Sequence, residues 1–251
     1  MKILSKEKLE SIKTSDIINT LSKYRFEYKY YITKQDKILL KNRIEMLLNI
    51  DKNAQKTNGY FIRSIYFDDY KDTSLNQVIN GISKREKFRI RFYNLDKSYI
   101  MLEKKEKINN MTNKKSCRIT EEQLIDILEK KNLVIEKTNN SLLNEFYFKL
   151  LFEGYKPACI IDYDRIPYVY SAGNVRITLD YNMAVSYDFE NVFSEDLIKV
   201  PFIEENRALL EVKFNDFIPD YVRWLLQLNK LERISYSKYA IGRTMLKNYI
   251  I

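Results

Sequence analysis

Charged and apolar residues alternate one by one along at least seven separate segments of this 251-residue chain. Residues 25–32, RFEYKYYI, and residues 87–93, KFRIRFY, show the pattern most clearly. A period of two places every second side chain on the same face of a β-strand. Each segment therefore predicts a strand with one charged face and one apolar face.

Helical patterns separate these strands, which predicts an α+β fold with about eight antiparallel strands. Thr33 is a predicted helix cap, with Asp36 at the third helical position and the helix running to about Leu48. Further helices are expected at residues 69–80, 120–130, 141–154, 220–228 and 237–249. Further strands are expected at residues 60–67 and 183–189 and in the segments YIMLEKKEK, NKKSCRIT, CIIDYDRI, NVRITLD and RALLEVKF.

The sequence predicts one folded domain over residues 21–251, preceded by a helical lead-in over residues 1–20. The chain has only 5 Gly and 4 Pro, and it contains no Gly/Ser-rich or Pro-rich linker. The sequence contains no stretch of 18 apolar residues and no signal-peptide core. We therefore expect a cytoplasmic location, and we expect no transmembrane segment.

The charged strand faces carry mostly cations, which is unusual for a solvated sheet. If helices cover the apolar faces, the charged faces must turn inward or to one open side of the sheet, and closure into a β-barrel would create a charged tunnel. Two cations about 6 Å apart repel by roughly 3 kcal/mol at an effective dielectric constant near 20. Interleaved carboxylates or a bound polyanion would relieve this repulsion; the candidate carboxylates are Glu27, Glu103, Asp180 and Glu211.

The composition restricts the chemistry of any site. The net charge of +9 indicates a polyanionic partner, which could be nucleic acid, a phosphate polymer or a membrane surface. The chain has no histidine, which excludes Ser–His and Cys–His nucleophiles and His-ligated zinc. Any metal must then be held by oxygen atoms, which points to Mn²⁺ or Mg²⁺.

Eight short motifs occur in an order that resembles the VTC domain, the polyphosphate polymerase branch of the triphosphate tunnel metalloenzymes, which is related to the CYTH phosphatases. They extend from about Arg25 to Gly242 and read RFEYKYYI, SIYFDD, KFRIRFYN, LEKKEK, YDRIPYV, VRITLD, LLEVKF and SYSKYAIG. The resemblance implies a closed antiparallel barrel surrounded by helices, in a stand-alone protein of bacterial type.

The resemblance also implies roles for individual residues. Glu211 in LLEVKF would hold the catalytic metal. Lys115 is the alternative to Lys114 as the tunnel lysine of the NKKSCRIT strand. The residues expected to act on the transferred phosphoryl group are Lys29, Arg89, Arg91, Lys105, Arg165 and Arg176, and those expected to bind phosphate are Lys114, Tyr163, Lys213, Ser237 and Lys238.

One departure from the related phosphatases bears on the reaction. Their first strand carries E-x-E-x-K, whereas this chain has Arg25, Glu27 and Lys29 at the matching positions. The missing carboxylate favours a polymerase that transfers the γ-phosphoryl of ATP to polyphosphate. The alternatives are an inorganic triphosphatase using the same tunnel and a non-catalytic module that binds polyphosphate or RNA. No DNA partner is expected.

Overall fold

The structure is a computed structural model that describes residues 25–109, 111–131, 140–227 and 230–249. The helical lead-in predicted for residues 1–20 lies outside the described residues. None of the described helices combines the length and apolar character needed to cross a lipid bilayer.

Eight of the ten described strands form a closed antiparallel ring. Around the ring the order is β7, β3, β4, β5, β6, β1, β10 and β8, and β8 pairs again with β7. The strands are β1 (Arg25–Thr33), β2 (Asn49–Ile50), β3 (Tyr60–Asp68), β4 (Lys84–Tyr93), β5 (Ile100–Ile108), β6 (Met111–Ile119), β7 (Lys156–Tyr170), β8 (Val175–Ser186), β9 (Val200–Pro201) and β10 (Arg207–Phe214). The predicted barrel of about eight strands is confirmed.

Six helices surround the ring in the described ranges. They are α1 (Lys34–Glu45), α2 (Thr73–Ile79), α3 (Glu121–Glu129), α4 (Ser141–Phe152), α5 (Asp220–Leu225) and α6 (Lys238–Tyr249). The predicted cap of α1 is present as a capping box, since the Asp36 amide donates to Thr33 Oγ1 over 3.0 Å and the Thr33 amide donates to Asp36 Oδ2 over 3.0 Å.

Several boundaries differ from the sequence prediction, and α1, α4 and α5 end earlier than expected, at Glu45, Phe152 and Leu225. The strand expected at residues 183–189 is the end of β8, which continues from Val175 to Ser186 past Asn182, whose φ is +52°. The helix expected to begin at Asp69 begins at Thr73, because the carboxylates of Asp68 and Asp69 accept hydrogen bonds from the backbone of the preceding turn and of the first helical turn.

The apolar strand faces pack outward against the helices, as the alternation predicts. Phe88, Ile90 and Phe92 of β4 are fully buried and belong to one core cluster with residues of α3 and α4. A second cluster joins the outer faces of β1, β8 and β10 to α1 and α5. Because helices occupy these outer faces, the alternate side chains point into the ring.

The inner face is apolar at one place, where α6 packs against β7 and β8. Gly242 lies so close to these strands that an added Cβ would be 2.5 Å from Ile161 Cδ1 and 3.2 Å from Val185 Cγ2. The neighbouring core residues include Cys159, Tyr163 and Tyr239. The C-terminal helix therefore covers part of the barrel interior, which the strand patterns did not predict.

Phe146 of α4 offers a test of the helix–barrel packing. Its ring is fully buried, stacks on Phe88 at a centroid distance of 5.4 Å and meets Phe67 edge-on at 4.9 Å. Phe146→Ala is expected to lower the free energy of unfolding by about 3–5 kcal/mol in urea denaturation. The matched control, Phe148→Ala, removes a half-exposed ring from the same helix and should cost less than about 1 kcal/mol. Equal losses in the two variants would contradict this packing.

Candidate active site

A cavity of about 480 Å³ lies inside the barrel. The described residues that line it include eleven Lys or Arg and two Glu, so its wall is strongly basic. It brings together ten of the twelve residues singled out in the sequence: Lys29, Arg89, Arg91, Lys105, Tyr163, Arg165, Glu211, Lys213, Ser237 and Lys238.

Glu103 of β5 lies beside Arg89 and Arg91 of β4. The Arg89 Nε donates to Glu103 Oε2 over 2.7 Å, and Arg91 Nη1 lies 3.7 Å from the same oxygen. Lys114 reaches Glu103 Oε1 over 2.9 Å. Burial would raise the pKa of Glu103, but these three cations hold the pKa well below its usual range. Glu103 is therefore ionised and fixes the direction of the Arg89 guanidinium group, whereas Arg91 is oriented by its hydrogen bonds to Ser64 Oγ and Tyr163 Oη.

A second ion-pair group centres on Glu27 of β1. Lys105 Nζ lies 2.7 Å from Glu27 Oε2, and Lys29 Nζ lies 2.9 Å from Glu27 Oε1. Lys29 also donates to the Tyr236 carbonyl over 2.7 Å. Burial and the nearby Glu211 would raise the pKa of Glu27, but Lys105 and Lys29 outweigh them and keep the pKa low. Two lysines from different strands thereby converge on one carboxylate.

The third group joins β7, β8, β10 and α6. Arg165 forms a two-pronged pair with Asp180, with both N–O distances 2.6 Å, and Lys238 donates to Asp180 Oδ2 over 2.6 Å. Lys213 Nζ lies 2.5 Å from Glu211 Oε1, and Arg165 lies 3.8 Å from Glu211 Oε2. Asp180 and Glu211 are buried, and the surrounding cations lower the pKa of each against the opposing effect of burial.

Strand register brings these charged side chains together on one face of the barrel. In the antiparallel β1–β10 pair, Glu27 lies opposite Lys213 and Lys29 lies opposite Glu211. In the β7–β8 pair, Arg165 lies opposite Asp180. Side chains directly opposite on one face are about 4.5–5.5 Å apart at Cβ, so the register places cations beside carboxylates. Arg165 pairs with the carboxylate opposite it, whereas Glu27 and Glu211 form their shortest ion pairs with Lys105 and Lys213.

The α6 N-terminus contributes two further groups to the cavity. Ser237 Oγ accepts a hydrogen bond from the Ala240 amide over 3.2 Å, as expected for the predicted cap. The same oxygen accepts a hydrogen bond from Lys87 Nζ over 2.9 Å. Lys238 lies over the Tyr163 ring, 4.7 Å from its centroid. The helix thus connects the phosphate-binding candidates of α6 to strands β4 and β7.

Two predicted site residues, Lys114 and Arg176, do not line the cavity. Lys114 is half exposed and contributes through its bond to Glu103. Arg176 donates to Tyr60 Oη over 3.2 Å and pairs with Asp51 at 3.1 Å. Lys115, the alternative to Lys114, is exposed and lies opposite Lys104, whose ammonium group binds carboxylates on the outer side of the barrel.

Sequence reasoning did not select four cations that line the cavity: Arg85, Lys87, Lys107 and Arg233. The first three continue the period-two alternation of Arg89 and Lys105 toward the strand ends, so the signal was present in the sequence. Arg233 comes from the irregular segment before α6, where it bridges to Tyr30 and lies over the Tyr28 ring. No sequence pattern marks that position.

Two oxygen donors on β8 and β10 suit a divalent metal. Glu211 is buried, and the hydroxyl of Thr178, which lies opposite it in the β8–β10 register, is buried without a hydrogen-bond partner. The described residues contain no group of three or more acidic, Cys or His side chains that could enclose a metal. Mg²⁺ commonly binds through one or two carboxylates together with substrate phosphates, which fits this donor set.

Residues 24–247 match the family model described as the VTC domain. No curated protein matches the chain. The match covers every strand of the barrel and all the residues that line the cavity.

Several solved structures are similar to this chain at low sequence identity. A candidate adenylate cyclase from Bacillus halodurans has a TM-score of 0.49 and 12% identity, over 86% of this chain and 95% of that chain. A Pyrococcus horikoshii protein has a TM-score of 0.45 and 15% identity, over 89% and 99%. The Mimivirus capping enzyme triphosphatase has a TM-score of 0.38 and 11% identity, over 91% and 97%.

Lys105 should make the stability of the protein depend on pH. Burial lowers the pKa of Lys105 from 10.5 to about 8, with Lys29 and Lys213 adding to the effect and Glu27 opposing it. Between these two pKa values Lys105 binds more protons in the unfolded chain than in the folded protein. The free energy of unfolding therefore rises with pH over this range. Lys105→Met should reduce that rise by on the order of 1–2 kcal/mol, since the side chain is 31% exposed and solvent screens part of the shift.

Urea denaturation at intervals from pH 8 to pH 10 would measure this effect. The control variant Lys115→Met, which changes an exposed lysine of β6, should follow the unaltered protein across the same range. An unchanged pH dependence in Lys105→Met would contradict the assignment.

Proposed function

The chain belongs to the VTC domain family, and from that premise we propose that it is a polyphosphate polymerase that transfers the γ-phosphoryl group of ATP to a growing polyphosphate chain. The observation that carries the proposal is the cavity inside the barrel with eleven basic lining residues. Such a site favours a compact, highly charged anion. Because the proposed reaction consumes ATP, the proposal places the protein in the cytoplasm.

Phosphoryl transfer needs positioning and charge neutralisation more than covalent chemistry. Glu103 and Asp180 orient Arg89 and Arg165 by charge-assisted hydrogen bonds, so these guanidinium groups are set before the substrate enters. A planar guanidinium can pair with two phosphate oxygens at once. In this proposal Arg89, Arg91 and Arg165 neutralise the negative charge on the transferred phosphoryl group. Lys29 and Lys105 lie beside them and contribute to the same neutralisation.

Phosphate binding at the remaining candidates completes the proposed site. Lys213, Ser237 and Lys238 would hold the ends of the substrate, and the Tyr163 hydroxyl, which accepts a hydrogen bond from Arg91 over 3.0 Å, would keep that arginine aligned. Lys114 would act through Glu103. Arg176 would bind phosphate after leaving Asp51.

The proposed transfer needs no general base. A terminal oxygen of the polyphosphate chain would form a bond to the γ-phosphorus as the bond from that phosphorus to the β–γ bridging oxygen breaks, which leaves ADP. A phosphate nucleophile is already ionised, in agreement with a chain that has no histidine. Glu211, with Thr178 opposite, would hold Mn²⁺ or Mg²⁺, which supplies further neutralisation of phosphate charge.

Arg89 provides the first test of the reaction. Arg89→Ala should lower the rate of polyphosphate synthesis from ATP by about 10²–10³, the usual effect of losing one oriented donor to a developing charge. Arg89→Lys keeps the charge but loses the planar fork, so it should retain more activity than Arg89→Ala. Arg118→Ala, an exposed arginine on β6, is the control and should be fully active.

The products on a gel distinguish the proposal from its alternatives. Long chains made from ATP support the polymerase. Orthophosphate released from tripolyphosphate, with no chains from ATP, would instead indicate a triphosphatase. Binding of polyphosphate or RNA without any turnover would indicate a non-catalytic module.

Glu211 provides the second test. Glu211→Gln should abolish metal-dependent synthesis while tripolyphosphate continues to raise the melting temperature of the protein. A ligand at 100 times its dissociation constant adds about 2.7 kcal/mol to stability, which thermal unfolding detects readily. Full synthesis by Glu211→Gln would show that this carboxylate does not hold the catalytic metal.

A further inference from the structure

A buried carboxylate at the end of β3 joins two helices that contribute residues to the cavity wall. Asp68 is the last residue of β3 and is fully buried. It accepts hydrogen bonds from the Ser74 amide over 2.8 Å and from the Leu75 amide over 3.0 Å, both in the first turn of α2. It also accepts a hydrogen bond from the Tyr239 hydroxyl of α6 over 2.5 Å. One side chain thereby fixes the start of both helices to the same strand.

Tyr239 is buried and is not among the described residues that line the cavity. Its ring stacks on Tyr66 at a centroid distance of 5.2 Å, and the Tyr66 hydroxyl accepts a hydrogen bond from Arg89 Nη1 over 3.0 Å. Burial and the Asp68 carboxylate raise the pKa of Tyr239 above its usual value, so the hydroxyl keeps its proton and remains a donor. Tyr239 is therefore an anchor outside the space that a ligand would occupy.

The two residues before Tyr239 reach into the cavity. Ser237 accepts a hydrogen bond from Lys87 Nζ, and Lys238 donates to Asp180 Oδ2. The chain enters α6 through residues 234–237, which form neither helix nor strand. The direction of Ser237 and Lys238 therefore depends on how the first turn of α6 is anchored. Within that turn, Tyr239 is fixed to β3 by a charge-assisted hydrogen bond made outside the cavity.

We propose that Asp68 and Tyr239 are positioning residues, which hold the first turn of α6 so that Ser237 and Lys238 meet the phosphates of the substrate. The assignment rests on the proposed function, in which Ser237 and Lys238 bind phosphate. The hydrogen bond between Asp68 and Tyr239 stays in place when an anion enters, whereas Lys238 must exchange part of its contact with Asp180 for phosphate. Without this anchor the bound anion would have to order the first turn of α6, and its affinity would fall.

Tyr239→Phe tests the assignment because it removes the hydroxyl and keeps the ring that stacks on Tyr66. Isothermal titration calorimetry with inorganic tripolyphosphate should give a dissociation constant about 5- to 10-fold higher than that of the unaltered protein, within the range for residues coupled through one hydrogen-bond network. The binding stoichiometry should stay the same. A purely structural loss would instead lower the stoichiometry, since unfolded molecules do not bind, and would leave the dissociation constant of the folded molecules unchanged. Asp68→Asn weakens the same hydrogen bond and should also raise the dissociation constant.

The effect of Tyr239→Phe should require the residues that it positions. In a background that lacks both groups, Ser237→Ala with Lys238→Met, adding Tyr239→Phe should change the dissociation constant less than about 2-fold. The matched control is Tyr168→Phe. Tyr168 is fully buried in a different core cluster and donates to Glu45 of α1 over 3.0 Å, so this variant also loses a hydrogen bond between a tyrosine and a carboxylate. It should bind tripolyphosphate with an unchanged dissociation constant.

Four outcomes separate the positioning role from the proposed function. An equal rise of the dissociation constant in Tyr168→Phe, or in the background without Ser237 and Lys238, would overturn the positioning role. If the unaltered protein binds tripolyphosphate and Tyr239→Phe binds it equally well, only the positioning role fails. If the unaltered protein does not bind tripolyphosphate, the proposed function fails together with it. If Tyr239→Phe weakens binding as expected but the unaltered protein makes no chains from ATP, the polymerase fails and the positioning role stands.

Discussion

Pairing of buried cations with buried carboxylates inside a closed barrel is the interaction on which this structure depends. Glu103, Asp180 and Glu211 are each almost fully buried, and every one contacts at least two cations. Burying an unpaired charge in such a place would lower the free energy of unfolding by several kcal/mol. Each carboxylate therefore offsets the desolvation cost of the arginines and lysines beside it. The same pairs fix the direction of the basic groups before any ligand enters. Stability and preorganisation of the site therefore come from the same contacts.

Compensation is incomplete, and the remaining charge defines what the cavity can bind. Glu27 and Glu103 neutralise the deep part of β4 and β5, whereas Arg85 and Lys107 lie opposite each other without such a partner among the described residues. A compact polyanion removes this repulsion more effectively than water or monovalent ions. The unliganded barrel therefore contains uncompensated electrostatic repulsion. This repulsion is greatest near the exposed ends of β4 and β5.

The alternation of residues predicted most of the fold because a period of two leaves little freedom. Once Phe88, Ile90 and Phe92 must face helices, Lys87, Arg89 and Arg91 must face the other way. The prediction was weaker where backbone irregularity or a distant segment decides the outcome. Arg176 shares the inward pattern yet binds Asp51. The placement of Arg233 depends on an irregular segment crossing β1, which no periodicity describes.

The sequence alone specifies which side chains share a strand face and that these faces carry an excess of positive charge. It also identified the carboxylates that compensate this charge, because their positions follow the same alternation. The fold in three dimensions specifies which carboxylate meets which cation, because strand register brings residues as distant as Lys29 and Glu211 to opposite positions. It also decided that α6 enters the site, where Lys238 meets Asp180. Such contacts arise from closing the barrel, and local patterns contain no information on closure.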